Sequence, residues 1–342
     1  MMMIEPLALG VIGLGRAGMM HLQNLLNEPS VKVVAVADAN LAQLALPEQL
    51  QAKVYDDASD LLANPQVKAV CIFAPTNAHE GLVRAAANAG KHIFCEKPLS
   101  MATDEAVSLE LLRTVKRAGV QLQIGFNRRF DPQFQMVHDQ TAKAAPAERQ
   151  VVKITSRDPD LLPHALIQKI GGLVFDFTMH DFDMARYLMG KNVIQVFATG
   201  STLIDPTLRE IDDVDTLATV LTFEDGSLAV IDNSRRAVYG YDQRVEVFGS
   251  FGMVKAENTS GYTVEAYTDT AIELPKPYPH FSSRYQSAYQ AELRAFAHAI
   301  QVEEQVPVSG IDALMAQRVA IAAMTSLHTH LPVAVDPQVP VL

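Results

Sequence analysis

Cysteine is nearly absent from this chain: two residues, Cys71 and Cys95, in 342. Each sits inside an apolar run. Both therefore read as buried free thiols of a reducing compartment, not as a disulfide or half of a metal site. No group of His, Cys and Asp shows metal-ligand spacing, so no metal is expected. Basic residues are also scarce, 28 Lys and Arg against 39 Asp and Glu, for a net charge of −11. Nucleic acid and anionic membranes call for a basic surface, and that balance excludes both as partners. No apolar stretch has membrane-spanning length, and the opening Met-Met-Met-Ile-Glu-Pro lacks the basic segment of a signal peptide. Low-complexity tracts and internal repeats are missing too. What remains is the composition of an ordinary cytoplasmic globular protein, long enough for two domains. A neutral small substrate suits its charge.

Short apolar runs alternate with helix-like stretches over the first 125 residues, the rhythm of a parallel sheet covered on both faces. Strands are expected at Leu7–Gly13, Val31–Ala37, Lys53–Tyr55, Val67–Ala74, His92–Glu96 and Gln121–Phe126. A helix over Asp104–Ala118 has Thr103 as its expected N-cap and Gly119 as its stop. Beyond residue 150 long alternating strands take over, at Val151–Arg157, Val193–Thr202, Asp215–Phe223 and Ser227–Arg235. Further strands are expected at Gln243–Phe248, Gly252–Glu257 and Thr263–Tyr267. A helix over Gly172–Met189 interrupts them, and helices at Ser283–Gln301 and Ile311–His328 close the chain. The expected fold is α/β: an N-terminal Rossmann domain with a doubly wound parallel sheet (1–125), then an α+β domain on a mostly antiparallel open sheet (126–342).

Gly13-Leu14-Gly15-Arg16-Ala17-Gly18 is a full GxGxxG between a strand and a helix. That context makes it a dinucleotide site: tight turn, close backbone approach to a pyrophosphate, and a helix N-terminus facing the phosphates. Asp38, twenty residues past Gly18 at the end of the second strand, is placed to accept bonds from ribose hydroxyls. Its charge would repel a 2′-phosphate, and Ala39-Asn40 offers no arginine to receive one. NAD is the expected cofactor.

Glu96-Lys97-Pro98 ends the fifth strand, on the rim where such sheets bind ligands. Lys97 there suits a substrate hydroxyl and its developing alkoxide. In the apolar helix Gly172–Met189, Asp176, His180 and Asp183 are spaced i, i+4, i+7 and would share one face. A neutral His180 can take a hydroxyl proton, and Asp176 one turn away can orient it. Arg235 and Arg236 read as charges on the sheet face or at an interface.

Together, the glycine motif, Asp38, Glu96-Lys97-Pro98 and the Asp176–His180 helix resemble the glucose–fructose oxidoreductase/inositol dehydrogenase (Gfo/Idh/MocA) family. Arg284-Tyr285, Ala288-Tyr289 and Glu292 resemble one of its late helices. The resemblance extends over the whole chain and is strongest to the bacterial inositol 2-dehydrogenases. It implies Lys97, Asp176 and His180 as the catalytic trio. It implies Asn127, Arg128, Asp158, Tyr239 and Tyr241 around a cyclic polyol, and Ala74, Thr76, His79, Glu96, Asn127 and Tyr285 beside the cofactor. It also implies a homo-oligomer, a tetramer before a dimer. Asn127 and Asp158 depart from the family pattern, and Asp158 adds charge to the pocket, so the polyol itself stays open. An aldose dehydrogenase and a non-catalytic NAD- and sugar-sensing regulator are the alternatives to an inositol dehydrogenase.

Overall fold

In the computed structural model, residues 5–342 are described; the first four residues of the Met-Met-Met-Ile-Glu-Pro start lie outside them. The N-terminal alternation becomes β1 (Leu7–Ile12), α1 (Arg16–Leu26), β2 (Val31–Ala37), β3 (Lys53–Tyr55), α2 (Ala58–Ala63), β4 (Ala69–Ile72), α3 (His79–Asn88), β5 (His92–Glu96), α4 (Glu105–Ala118) and β6 (Leu122–Gly125). The six strands are parallel in the order β3-β2-β1-β4-β5-β6. The order reverses between β1 and β4, which sets a ligand crevice at their carboxyl ends. β4 is buried throughout, in keeping with its unbroken apolar run; β6 is buried as well, and its one polar side chain, Gln123, donates to the Glu292 carbonyl at 2.9 Å. Helix α4 starts one residue later than its sequence suggests. Asp104, not Thr103, caps it by accepting the Ala106 N–H at 2.9 Å. A carboxylate there also meets the helix dipole, which a threonine does not.

Two compact units emerge, and they do not follow a single cut at 125/126. One runs through Phe130 and adds Ser287–Gln317 and Val339–Leu342; the other holds Asp131–Gln286 and Arg318–Gln338. The returning segment has a physical cause. Leu293, Phe296 and Ala297 join the buried cluster of Leu9, Val11, Leu22, Cys71 and Phe94. Phe296 meets Phe94 edge-on, with centroids 5.9 Å apart. Cys71 and Cys95 are free and buried. Burial pushes both thiols up, so they are poor nucleophiles.

The second unit contains α5 (Pro132–Thr141), β7 (Arg149–Arg157), α6 (His164–Ile170), a π-helical segment (Leu173–Thr178), α7 (Met179–Met189), β8 (Val193–Ser201), β9 (Thr216–Phe223), β10 (Leu228–Ser234), β11 (Asp242–Gly249) and β12 (Gly252–Ala256). A small pair, β13 (Ala266–Tyr267) with β14 (Ile272–Glu273), stands where a strand was expected over Thr263–Tyr267. Short α8 (Phe281–Arg284), α9 (Gln286–Gln301), α10 (Gly310–Thr329) and β15 (Val333–Ala334) complete the chain. The large sheet runs β12-β11-β7-β10-β9-β8-β15. Only β7 and β10 are parallel neighbours in it.

Its two faces differ sharply. On one, Ser156 and Asn233 both donate to Asp181 of α7, at 2.6 and 2.7 Å, which ties that helix to β7 and β10. The other carries Phe197, Val220, Leu228, Val230, Phe248 and Met253, all exposed. Cross-strand ion pairs such as Lys153–Glu246 (3.0 Å) and Arg157–Asp232 share that open face. Among the described residues no helix is long and apolar enough to cross a membrane.

Candidate active site

The glycine motif forms the β1–α1 turn. Gly13 has φ +90°, and a side chain on it would meet the Ala74 backbone at 2.5 Å. One on Gly18 would strike the Gly13 carbonyl oxygen at 2.1 Å. Gly15, by contrast, has nothing within 4 Å of where its Cβ would stand. Helix α1 begins there with no side-chain cap and no acid in its first turn. Its free N–H groups and positive dipole end are thus open to an anion. Asp38 closes the arrangement: one carboxylate oxygen accepts the Leu14 N–H at 2.6 Å, the other the Asn40 N–H at 2.7 Å. Each oxygen has a second lone pair left for a hydroxyl. These residues fit a dinucleotide, with room at Gly15 for the pyrophosphate and Asp38 for the ribose. Arg16 and Ala17 are exposed at the helix start.

At the end of β5, Glu96 Oε2 accepts the Lys97 N–H at 3.1 Å, and the Lys97–Pro98 peptide is cis. His79 is buried, its ring nitrogens 2.8 Å from the Pro98 carbonyl and 2.9 Å from that of Ala74. It ties the loop after β4 to the loop after β5. Thr76 lies half-buried in the turn just before it.

Behind Glu96 lies a group that the motif reading passed over. His21 Nε2 sits 3.0 Å from Glu96 Oε1. Its ring stacks on Phe73 at 4.2 Å and meets Tyr289 edge-on. Glu292 of α9 completes the group, with ligand-type atoms of all three residues within 4.8 Å of one another. The Glu292 side chain is fully buried and neither oxygen has a hydrogen-bond partner. Burial and the nearby Glu96 raise its pKa well above the carboxylate range. Burial opposes the charge of Glu96 as well, but the His21 hydrogen bond, with Lys97 and His79, brings its pKa below the ordinary value. The two pKa values are thus driven apart, the pattern of two acids crowded together.

In the second unit, Asp176 lies in the π-helical segment and His180 in the first turn of α7. The single α-helical face expected for Asp176, His180 and Asp183 is therefore broken. A π turn closes i→i+5 bonds, which offsets Asp176 from the α spacing. Asp183 is buried; His180 and Asp176 are half-buried. One partner of Asp176 is Arg235, whose side chain is wholly buried. Arg235 Nη1 donates to Asp176 Oδ2 at 3.1 Å and to Asp158 Oδ2 at 3.3 Å. Arg235 is therefore not a surface or interface charge, although Arg236 beside it is exposed. Strand alternation explains this: Ile231, Asn233 and Arg235 point to the helix-covered side, and Asp232, Ser234 and Arg236 to the other.

The remaining expected residues lie in both units. Asn127 and Arg128 are buried in a short 3₁₀ turn after β6. The Tyr239 hydroxyl donates to Asp242 at 2.5 Å and accepts from Arg157 at 3.2 Å, within the open-face ion network. Tyr241 and Tyr285 are buried against each other, centroids 5.9 Å apart, and the Tyr285 hydroxyl donates to Gln243. Arg284 pairs with buried Asp131, which also caps α5. Fold thus accounts for the late-helix motif at least as well as a ligand does.

Two family models cover most of the chain. One, an oxidoreductase family with an NAD-binding Rossmann fold, matches residues 7–126; its partner, a C-terminal alpha/beta domain, matches 167–335. The myo-inositol 2-dehydrogenase of Thermotoga maritima is 43% identical, over 94% of this chain and 96% of its own. A probable dehydrogenase from Thermotoga maritima superposes with a TM-score of 0.92 at 42% identity, over 96% of this chain and 98% of that one. Scyllo-inositol dehydrogenase from Lactobacillus casei, solved with NAD(H) and scyllo-inositol, superposes with a TM-score of 0.89 at 26% identity, over 96% and 99%.

Proposed function

The chain belongs to the oxidoreductase family that joins an NAD-binding Rossmann domain to a C-terminal alpha/beta domain, and from that premise we propose that it oxidises a secondary hydroxyl of an inositol to the ketone. The observation that carries the reading is likeness over nearly the full length to a myo-inositol 2-dehydrogenase, in a chain that keeps Lys97, Asp176 and His180. The first unit takes the dinucleotide on Gly13–Gly18 and Asp38; the second takes the polyol.

When bound, NAD supplies the hydride acceptor. His180 removes the hydroxyl proton as the carbinol C–H bond breaks. Asp176 holds the imidazole in orientation and favours its protonated form. Lys97 donates to the oxygen while it carries alkoxide charge, a contact worth most in the transition state. Glu96, through the Lys97 N–H, fixes where that lysine leaves the strand. The open apolar sheet face supports a homo-oligomer with a second copy covering it, and two buried free thiols fit a cytoplasmic setting.

A panel of myo-inositol, scyllo-inositol and glucose, each with NAD and with NADP, followed by absorbance of the reduced nicotinamide, tests all of this. Turnover of an inositol with NAD is expected. Turnover of glucose alone would reassign the substrate, and tight NAD binding with no turnover of any polyol would make the protein a sensor.

A further inference from the structure

Three segments hold the piece of chain that carries Asp176 and His180. At its start, Asp213 accepts the Leu173 N–H at 3.0 Å. At its end, Asp181 is held by Ser156 and Asn233. Between them a single buried nitrogen, Arg235 Nη1, touches both Asp176 and Asp158. From this geometry we infer that Arg235 is a positioning residue, clamping Asp176 for proton transfer at His180 and binding Asp158 into the same clamp instead of leaving it as a free charge toward the polyol. The inference rests on the reading of Asp176 and His180 given above.

Hydrogen bonding alone does not explain the arginine. A structural guanidinium generally engages carboxylates through its two-nitrogen fork. Here one nitrogen serves two acids, and Nε and Nη2 are buried with no hydrogen-bond partner. Burying that much unsatisfied donor capacity is costly. What the position supplies is positive charge at one point, facing three carboxyls. Burial works against the charge of Arg235, yet Asp176, Asp158 and Asp213 raise its pKa above the usual value. Asp213 takes the opposite course: burial raises its pKa, and only partly do the Leu173 and Val214 N–H groups and Arg235 offset this. The irregular π turn follows from the same contacts. A regular α turn would move Asp176 relative to Leu173 and Asp181, and with it the reach to Arg235. Such interruptions recur where a helix must aim a functional side chain.

The arrangement also revises the meaning of Asp158. Its carboxylate shares the one positive charge of Arg235 with Asp176 and so does not stand as an unmet charge toward the polyol. Departure from the family pattern at this position then tunes the charge at Asp176, and the contact to the sugar ring is secondary.

The test compares inositol oxidation by the wild type, Arg235→Gln, Arg235→Lys and Asp158→Asn across pH, with NAD affinity titrated separately. Loss of the cation raises the pKa of both Asp176 and His180. In Arg235→Gln the low-pH limb of kcat/KM therefore moves to higher pH, kcat falls by about 10²-fold if an interaction made in the transition state is lost, and NAD affinity stays put. Arg235→Lys keeps a charge and restores part of both effects. Asp158→Asn removes a negative charge, so its limb moves to lower pH, with a few-fold loss in kcat. It leaves the buried cation in place, so it reports even if Arg235→Gln fails to fold. The clamp is refuted if Asp158→Asn leaves the pH limb unmoved and raises only KM, or if a folded Arg235→Gln keeps the wild-type kcat and profile. His180→Ala and Asp176→Asn serve as the control. If they retain activity, the catalytic reading itself fails; if they lose it while the Arg235 and Asp158 variants behave like the wild type, only the clamp fails.

Discussion

Two acid clusters, one in each unit, solve the same electrostatic problem in opposite ways. In the first, Glu96 and Glu292 crowd together with His21, and burial with the nearby Glu96 drives Glu292 toward its protonated form. In the second, Asp158 and Asp176 face a guanidinium, and a cation meets their charge. Burying a carboxylate in a poorly polar interior costs several kcal/mol unless it is paired or neutralised. The first solution leaves acceptors unused, at Glu292; the second leaves donors unused, at Arg235. The difference teaches where each cluster acts. In the first cluster Glu96 accepts the Lys97 N–H and so shapes the backbone there; Glu292 behind it needs no charge of its own. An acid that must steady an imidazolium needs its charge, and so a fixed counter-charge beside it.

The largest expected effect comes from breaking the output of the second cluster. His180→Ala is expected to lower kcat by about 10²–10⁴-fold, the usual worth of a positioned general base. Asp176→Asn loses less, and the double variant loses little more than His180→Ala alone, because the two act as one unit. Single-turnover rates for the three variants check this. Losses that multiply in the double variant would separate Asp176 from the base.

Breaking the output of the first cluster comes next. Lys97→Ala is expected to reduce kcat by about 10²–10³-fold, like other groups that stabilise an oxyanion. Its NAD affinity, read by fluorescence titration, changes little. Turnover near the wild-type value at saturation would demote Lys97 to a solvated rim residue.

The two clusters also differ in how far the sequence reveals them. The glycine motif, Asp38 and the strands of the first sheet are legible because each is a local pattern. A turn needs glycine at fixed offsets, and a doubly covered strand is apolar throughout. The second sheet is legible for the same reason, through its alternation. The clusters themselves join residues far apart in sequence. His21, Glu96 and Glu292 share no spacing, and Arg235 and Arg236 look alike until the phase of β10 is followed one residue past its end. The π turn is hidden because its residues, Leu173–Thr178, read as ordinary helix formers and aromatics; tertiary anchors at Asp213, Arg235 and Asp181 impose it. The late-helix motif is visible, but its burial with Asp131 and Gln243 is not.

A third acid gives a smaller effect. Asp38 meets its charge with two backbone N–H groups, and its remaining lone pairs are the ones proposed to take the ribose hydroxyls. Asp38→Ala is expected to raise the Kd for NAD about tenfold, since a hydrogen bond to a charged acceptor is worth roughly 1.5 kcal/mol. NADP use should rise at the same time. Equal use of both cofactors by the wild type, measured as kcat/KM, would remove Asp38 as the selector.

The smallest effect sharpens the contrast most. If Glu292 is neutral in the folded protein, Glu292→Gln replaces it with a near-isostere that is also neutral, and the fold should tolerate the change. The pH dependence has a definite sign. The pKa of Glu292 is raised by folding, so the folded state holds a proton that the unfolded chain releases above its own value, about 4.3. The stability tied to that proton is complete below the unfolded pKa and is lost as pH rises toward the folded one. Wild type and Glu292→Gln should therefore melt alike near pH 4, and the variant should gain on the wild type steadily toward pH 8. Each kcal/mol of penalty removed raises Tm by about 1–2 °C in a chain of 342 residues. Glu96 behaves in reverse: its pKa is lowered, so its contribution is present above the unfolded value and fades as pH falls. Melting curves of the two proteins between pH 4 and 8 decide the matter. A Glu292→Gln variant that is less stable at every pH would mean that Glu292 carries a charge and that a cation meets it. The first cluster would then be built on the same plan as the second.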